Sequence, residues 1–152
     1  MERRLDPRDD APVGQALGPT DPDQRIELSL ILRPRRPLAE LEARLNEGLP
    51  PLTREQYAAS YGADPADVAT VEAFARGHGL ELIESSPERR TVRVAGRAAD
   101  ISALFGTGLA EYRAADGTVF RAPTGEMRVP DEIAGVVQSV FGLDTRPQAR
   151  HY

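Results

Sequence analysis

The spacing of apolar positions changes several times along the 152-residue chain, and each change marks an element. Arg25-Ile26-Glu27-Leu28-Ser29-Leu30-Ile31-Leu32-Arg33 alternates and then becomes continuously apolar. That predicts a strand buried on at least one face and stopped by Pro34. Leu38, Leu41 and Leu45 recur at i, i+3 and i+7 behind Pro37, a helical stripe ended by Gly48 and Pro50-Pro51. Thr53-Arg54-Glu55-Gln56 has the form of a capping box and opens a short helix with Tyr57 and Tyr61 on one side. Asp64-Pro65-Ala66-Asp67 starts another, whose apolar face is Val68, Val71, Phe74 and Ala75 before Gly77-His78-Gly79. Leu80–Glu84 and Thr91–Ala95 read as strands about a Ser85–Arg89 turn, and Ala98–Phe105 as a helix closed by Gly106. Leu109–Arg113 and Thr118–Arg121 pair through Asp116-Gly117, and Val129-Pro130-Asp131-Glu132 begins a last short helix.

The two ends behave differently. Residues 1–24 carry scattered charge, five prolines and glycines before Asp21, and no periodicity, which predicts a flexible arm. Val136 to Leu143 is apolar enough to dock on a core, whereas residues from Asp144 on offer almost nothing to bury and should leave as a tail. Set aside the tyrosine helix, and the order is strand, helix, two-stranded hairpin, helix, strand. The expected fold is therefore α+β and ferredoxin-like, a βαββαβ antiparallel sheet with helices on one face, inserted helices and an extra hairpin. The sheet's other face must meet solvent or a partner, and the fold alone does not name its function.

Composition removes several chemistries. The formal net charge of −5 disfavours nucleic acid and anionic membranes, and no apolar run reaches a membrane span. All nineteen basic residues are arginine, so no lysine is available for Schiff-base or general-base work. With no cysteine there is no disulfide, thiol catalysis or cysteine-bound zinc. His78 and His151 lie 73 positions apart; His78 suits a helix C-terminus, where positive charge is favoured. The six serines form no nucleophile elbow, and no glycine-rich phosphate loop is present. Arg33, Arg35 and Arg36 make a small basic run, most simply a solvated strand end. Glu81, Glu84, Glu88 and Glu111 fall on or near strands, where the polar face of a sheet is the simpler reading than paired acid–base catalysis. No catalytic centre and no cofactor site emerges.

The run Gly142-Leu143-Asp144-Thr145-Arg146-Pro147-Gln148-Ala149-Arg150 resembles the end of the activation propeptide of the sedolisin/kumamolisin family of serine-carboxyl peptidases. Further pieces are Leu52–Tyr57, Tyr61–Val68, Val71–Ala75, Gly79-Leu80, Thr91–Val94, Phe105-Gly106 and Val129–Val137, in shared order over some 120 residues. The resemblance implies a fold like that of subtilisin-like propeptides: an arm at 1–24, a prodomain at 25–144 and an extended linker at 145–152 running toward a protease cleft. It implies an N-terminal propeptide that helps a secreted, acid-active endopeptidase to fold and inhibits it until acidification. The partner would be the catalytic domain of its cognate serine-carboxyl peptidase, which holds the catalytic serine, glutamate and aspartate and a calcium site. Asp144, Thr145, Arg146, Pro147, Gln148, Ala149 and Arg150 would then lie along the cleft. His151-Tyr152 is a candidate processing bond, or simply the last residues of the chain. Glu81, Glu84, Glu111 and Asp144 are candidate pH-sensitive carboxylates. No secretion signal is visible and the chain stops at Tyr152, which suggests an excised propeptide or a free-standing inhibitor. The rival readings are a stand-alone ferredoxin-like binding or regulatory module and, last, a small acylphosphatase-like hydrolase. The hydrolase would need a phosphate loop with a supporting arginine and asparagine, and Asn46 is the only asparagine.

Overall fold

The computed structural model describes residues 14–146 and, as backbone, a two-residue strand at 3–4. In chain order the elements are β1 (Arg3–Arg4), β2 (Gln15–Pro19), β3 (Arg25–Leu32), α1 (Leu38–Asn46), α2 (Arg54–Tyr61) and α3 (Pro65–Gly77). They continue as β4 (Glu81–Ser86), β5 (Thr91–Arg97), α4 (Ala98–Phe105), β6 (Leu109–Arg113), β7 (Val119–Pro123), β8 (Arg128–Val129), α5 (Asp131–Ala134) and β9 (Val137–Phe141).

The main sheet has the order β4-β5-β3-β9, antiparallel throughout. The first strand of the pattern, β3, sits between the third and the fourth, as the ferredoxin-like fold requires. Alternation on β3 explains its central place: Ile26, Leu28, Leu30 and Leu32 are all buried, and the three leucines sit opposite Val94, Val92, Val140 and Val137 on the flanking strands. α3 and α4 cover this apolar face. α3 contributes Val68, Val71, Phe74 and Ala75, and α4 contributes Ala98, Ile101 and Phe105. Both helices start where their first residues direct. The Asp64 carboxylate accepts the Ala66 N–H at 2.8 Å, and the expected bounds of α4 are the observed ones, with Gly106 left-handed at its end. The Thr53–Gln56 capping box is present in both directions, at 3.0 and 2.9 Å.

The strand that follows α4 does not complete the main sheet. β6 and β7 form the extra hairpin and join β2 in a separate sheet ordered β2-β6-β7. The fourth place is taken by β9, from the apolar segment 136–143. β2 lies within the stretch expected to be a flexible arm. Its side chains are mostly exposed, so no hydrophobic period announced it; main-chain pairing with β6, through a bulge between Ala16 and Gly18, builds it. Thr20 seals the join: it is buried, and its N–H donates to the Leu109 carbonyl at 2.9 Å.

The leucine helix α1 forms as expected and yet has no buried residue, with Leu38 and Leu45 exposed, as is Leu49 just beyond it. Local bonds hold it in place, Arg36 to Glu40 and Arg44 to the Pro50 carbonyl.

Candidate functional site

Two features stand out, the open face of the main sheet and the exit of the chain. On the open face the pleat presents Arg25 and Glu27 from β3, Arg93 and Arg97 from β5, and Glu81 and Glu84 from β4. These charges interlock. Arg25 donates to Glu27 at 2.8 Å and to Glu81 at 2.9 Å, Arg93 donates to Glu27 at 2.7 Å, and Arg93 lies 4.0 Å from Glu84. The result is an alternating ladder, Glu84–Arg93–Glu27–Arg25–Glu81, running across three strands. Hydrogen bonding from Arg25, helped by Arg93, holds the Glu27 carboxyl below the usual glutamate range. The same pairing raises the Arg25 guanidinium. Beyond the ladder the face turns apolar at Ile31 and at Phe141, which is 51% exposed.

Of the four candidate pH-sensitive carboxylates, Glu81 and Glu84 meet here and the other two do not. Glu111 is on the second sheet, opposite Arg121, where it accepts the Thr20 hydroxyl at 2.6 Å. Asp144 is at the exit. Sequence reasoning missed Glu27, Arg25 and Arg93, although Arg25 and Glu27 two apart on β3, and Arg93 and Arg97 four apart on β5, carried the signal.

The exit is fastened rather than free. Gly142 takes φ +119°, outside the range comfortable for other residues, and a Cβ there would lie 2.4 Å from the Glu27 carbonyl oxygen. That turn sends Leu143 into the core, where it is 1% exposed. The Asp144 carboxylate then accepts the Arg146 N–H at 2.9 Å and closes an ion pair with the Arg146 guanidinium, both side chains largely buried. Arg146 lies 6.0 Å from the centre of the Phe120 ring, which stacks on Tyr112. Thr145 donates its N–H to the Arg121 carbonyl at 2.8 Å and accepts the Arg121 N–H on its hydroxyl at 2.7 Å. Arg121 also reaches back with its half-buried guanidinium to the Gly142 carbonyl at 2.7 Å. Thus Asp144, Thr145 and Arg146 belong to the folded body, although hydropathy gave no reason to hold them. Pro147, Gln148, Ala149, Arg150, His151 and Tyr152 lie outside the described residues, as does most of the 1–13 stretch.

The remaining candidates have structural partners. His78 caps α3, packs on Phe74 and bonds Glu132 at 2.9 Å. In the basic run, Arg33 makes a two-bond pair with Asp67, Arg35 donates to the Ala59 carbonyl, and Arg36 holds Glu40. Among the described residues no cluster of His, Asp and Glu is arranged to hold a metal, and no helix is long and apolar enough to cross a membrane.

Comparison with known proteins agrees with this layout. A family model described as "Pro-kumamolisin, activation domain" matches residues 14–146. Kumamolisin of Bacillus sp. (strain MN-32) is 39% identical over 150 residues, covering 94% of this chain and 27% of kumamolisin. Sedolisin of Pseudomonas sp. (strain 101) is 31% identical over 98 residues, covering 64% of this chain and 16% of sedolisin. The chain spans about a quarter of kumamolisin's length and less of sedolisin's. The match begins one residue before β2 and ends on Arg146, the last residue of the fastened exit, so it takes in both features described above. The chain belongs to the pro-kumamolisin activation-domain family.

Proposed function

We propose that this domain is the activation propeptide of a secreted, acid-active serine-carboxyl endopeptidase. It templates folding of the catalytic domain and inhibits it until the pH falls. Its open sheet face packs on the enzyme, and the segment beyond Arg146 enters the cleft. The single observation that carries this reading is the open face itself. One side of the sheet is covered by α3 and α4, while among the described residues the other holds its own charge ladder, Ile31 and the exposed Phe141. A sheet face left like this in a family of activation domains fits a surface made to be covered by a second domain.

Glu81, Glu84 and Glu27 supply the acid response. Each is about half exposed, so each can exchange part of its pairing with Arg25 or Arg93 for a basic group on the enzyme. A carboxylate paired more strongly in the complex than in the free domain contributes binding that is full above its free-state pKa. That contribution is lost as the pH falls through the bound-state value. Asp144 and Glu111 have inward-facing partners of their own and are the lesser contributors. Secretion and the absence of catalysis in this domain belong to the same proposal.

The test is inhibition of a purified mature kumamolisin-type peptidase by the 152-residue chain, titrated at neutral pH and near pH 4. Tight inhibition that weakens in acid supports the proposal. Equal inhibition at both values refutes the acid release, and none at either, from a folded chain, leaves a stand-alone binding module.

A further inference from the structure

From the exit geometry we infer that Arg121 is a positioning residue for the linker. Together with Thr145 it forms a clasp that sets where the inhibitory segment begins and in which direction it leaves. This rests on the inhibitor reading above and adds a mechanical part to it.

β7 is the outer strand of the β2-β6-β7 sheet, so among the described residues one edge of its backbone has no strand to pair with. At Arg121 that edge is taken by a single residue of the exit. Thr145 satisfies both main-chain groups of Arg121, its carbonyl with an N–H and its N–H with the threonine hydroxyl. The next link of such a ladder would fall near Pro147, which has no N–H to give. Among the described residues the pairing is one residue long. The Arg121 side chain adds a second attachment on the far side of buried Leu143, at the Gly142 carbonyl, while Arg146 turns back onto Asp144.

Arg121 thus grips the chain both before and after Leu143. Rotation about the Leu143–Asp144 junction, which a free tail would have, is removed. Were the chain free from Asp144, three more residues would be available and the segment could wander roughly 10 Å further. With the clasp closed, the part able to enter a cleft begins at Pro147. Ordering these residues before binding is what lets a short segment occupy a cleft tightly.

The experiment uses the whole chain with two variants, Arg121→Met and Thr145→Val. The first removes the guanidinium at nearly unchanged length, and the second removes only the hydroxyl acceptor, so it carries the test if the first fails to fold. Three readouts are taken: hydrogen exchange at the Thr145 and Leu30 amides, the first cut made by proteinase K, and the inhibition constant at neutral pH. In the parent chain Thr145 is expected to be protected and the first cut in the C-terminal part, beyond Phe141, to fall after Arg146. In the variants, exchange at Thr145 rises, the cut moves into 143–146, Leu30 stays protected, and inhibition weakens about tenfold. An unprotected Thr145 in the parent, or a first C-terminal cut within 143–146, overturns the clasp. Opened variants that inhibit as well as the parent overturn its positioning role. A protected Thr145 in a parent chain that inhibits nothing sinks the inhibitor reading and that role with it, and the clasp then stands as a fold element alone.

Discussion

Helix α1 and the exit segment 142–146 invert what their side chains suggest. The leucines of α1 recur with helical period, yet none is buried. The exit has a glycine, a single leucine and three polar residues, and it is anchored at Leu143, at Asp144 and on β7. An apolar stripe records that a surface can be covered, not that anything within reach covers it. Polar residues, in turn, are held by directed hydrogen bonds that hydropathy does not register.

Leucine truncation gives the largest contrast. Leu143→Ala should cost about 2–5 kcal/mol in urea unfolding, the range for emptying a packed leucine site. Leu45→Ala, at a residue 55% exposed, should stay within about 0.5 kcal/mol. Equal losses would erase the comparison. Next comes Gly142→Ala, which adds a Cβ against the Glu27 carbonyl oxygen at a positive φ. Unfolding midpoints should fall by the equivalent of about 1–3 kcal/mol, the cost of a strained backbone position. Removing the cap of the helix beside α1, Thr53→Ala, should cost about 1 kcal/mol, the ordinary worth of an N-cap. A loss near zero would mean that α2, like α1, stands apart from the cooperative unit.

The smallest effect is a pH dependence. Glu27 titrates below the ordinary glutamate value because Arg25 and Arg93 favour its charged form. Its stabilising contribution is full above the unfolded-state value near 4.3. It is lost as the pH falls through the lower folded-state value. Stability curves of the parent chain and Glu27→Gln from pH 7 to pH 3 should converge at the acid end. Curves that stay parallel would remove Glu27 from the acid response.

Much of the fold was legible. Strand β3, the Thr53 box, the Asp64-Pro65 start of α3, helix α4 and the Asp116-Gly117 turn all come from residues adjacent in sequence, whose hydrogen bonds close within a few positions. β2 was not legible, because its stabilisation is main-chain pairing with residues nearly a hundred positions away. Of the candidate site, Glu81 and Glu84 were found as strand carboxylates. Glu27 was hidden until β3 and β5 were aligned, since Arg93 reaches it across 66 positions.

By itself the sequence determined the helices, the strands with a hydrophobic period, most caps and turns, the ferredoxin-like order and the family resemblance. These follow from local dihedral preference, side-chain period and short-range hydrogen bonding. Tertiary structure alone decided that β9 rather than β6 completes the main sheet, that the leucines of α1 stay uncovered, and that Asp144, Thr145 and Arg146 are fastened. Strand pairing and the hold of Arg121 on Thr145 and Gly142 depend on distant groups arriving within about 3 Å of one another, the reach of a hydrogen bond. The exposure of the α1 leucines depends on no distant apolar surface, among the described residues, lying against them. No window of neighbouring residues contains that information.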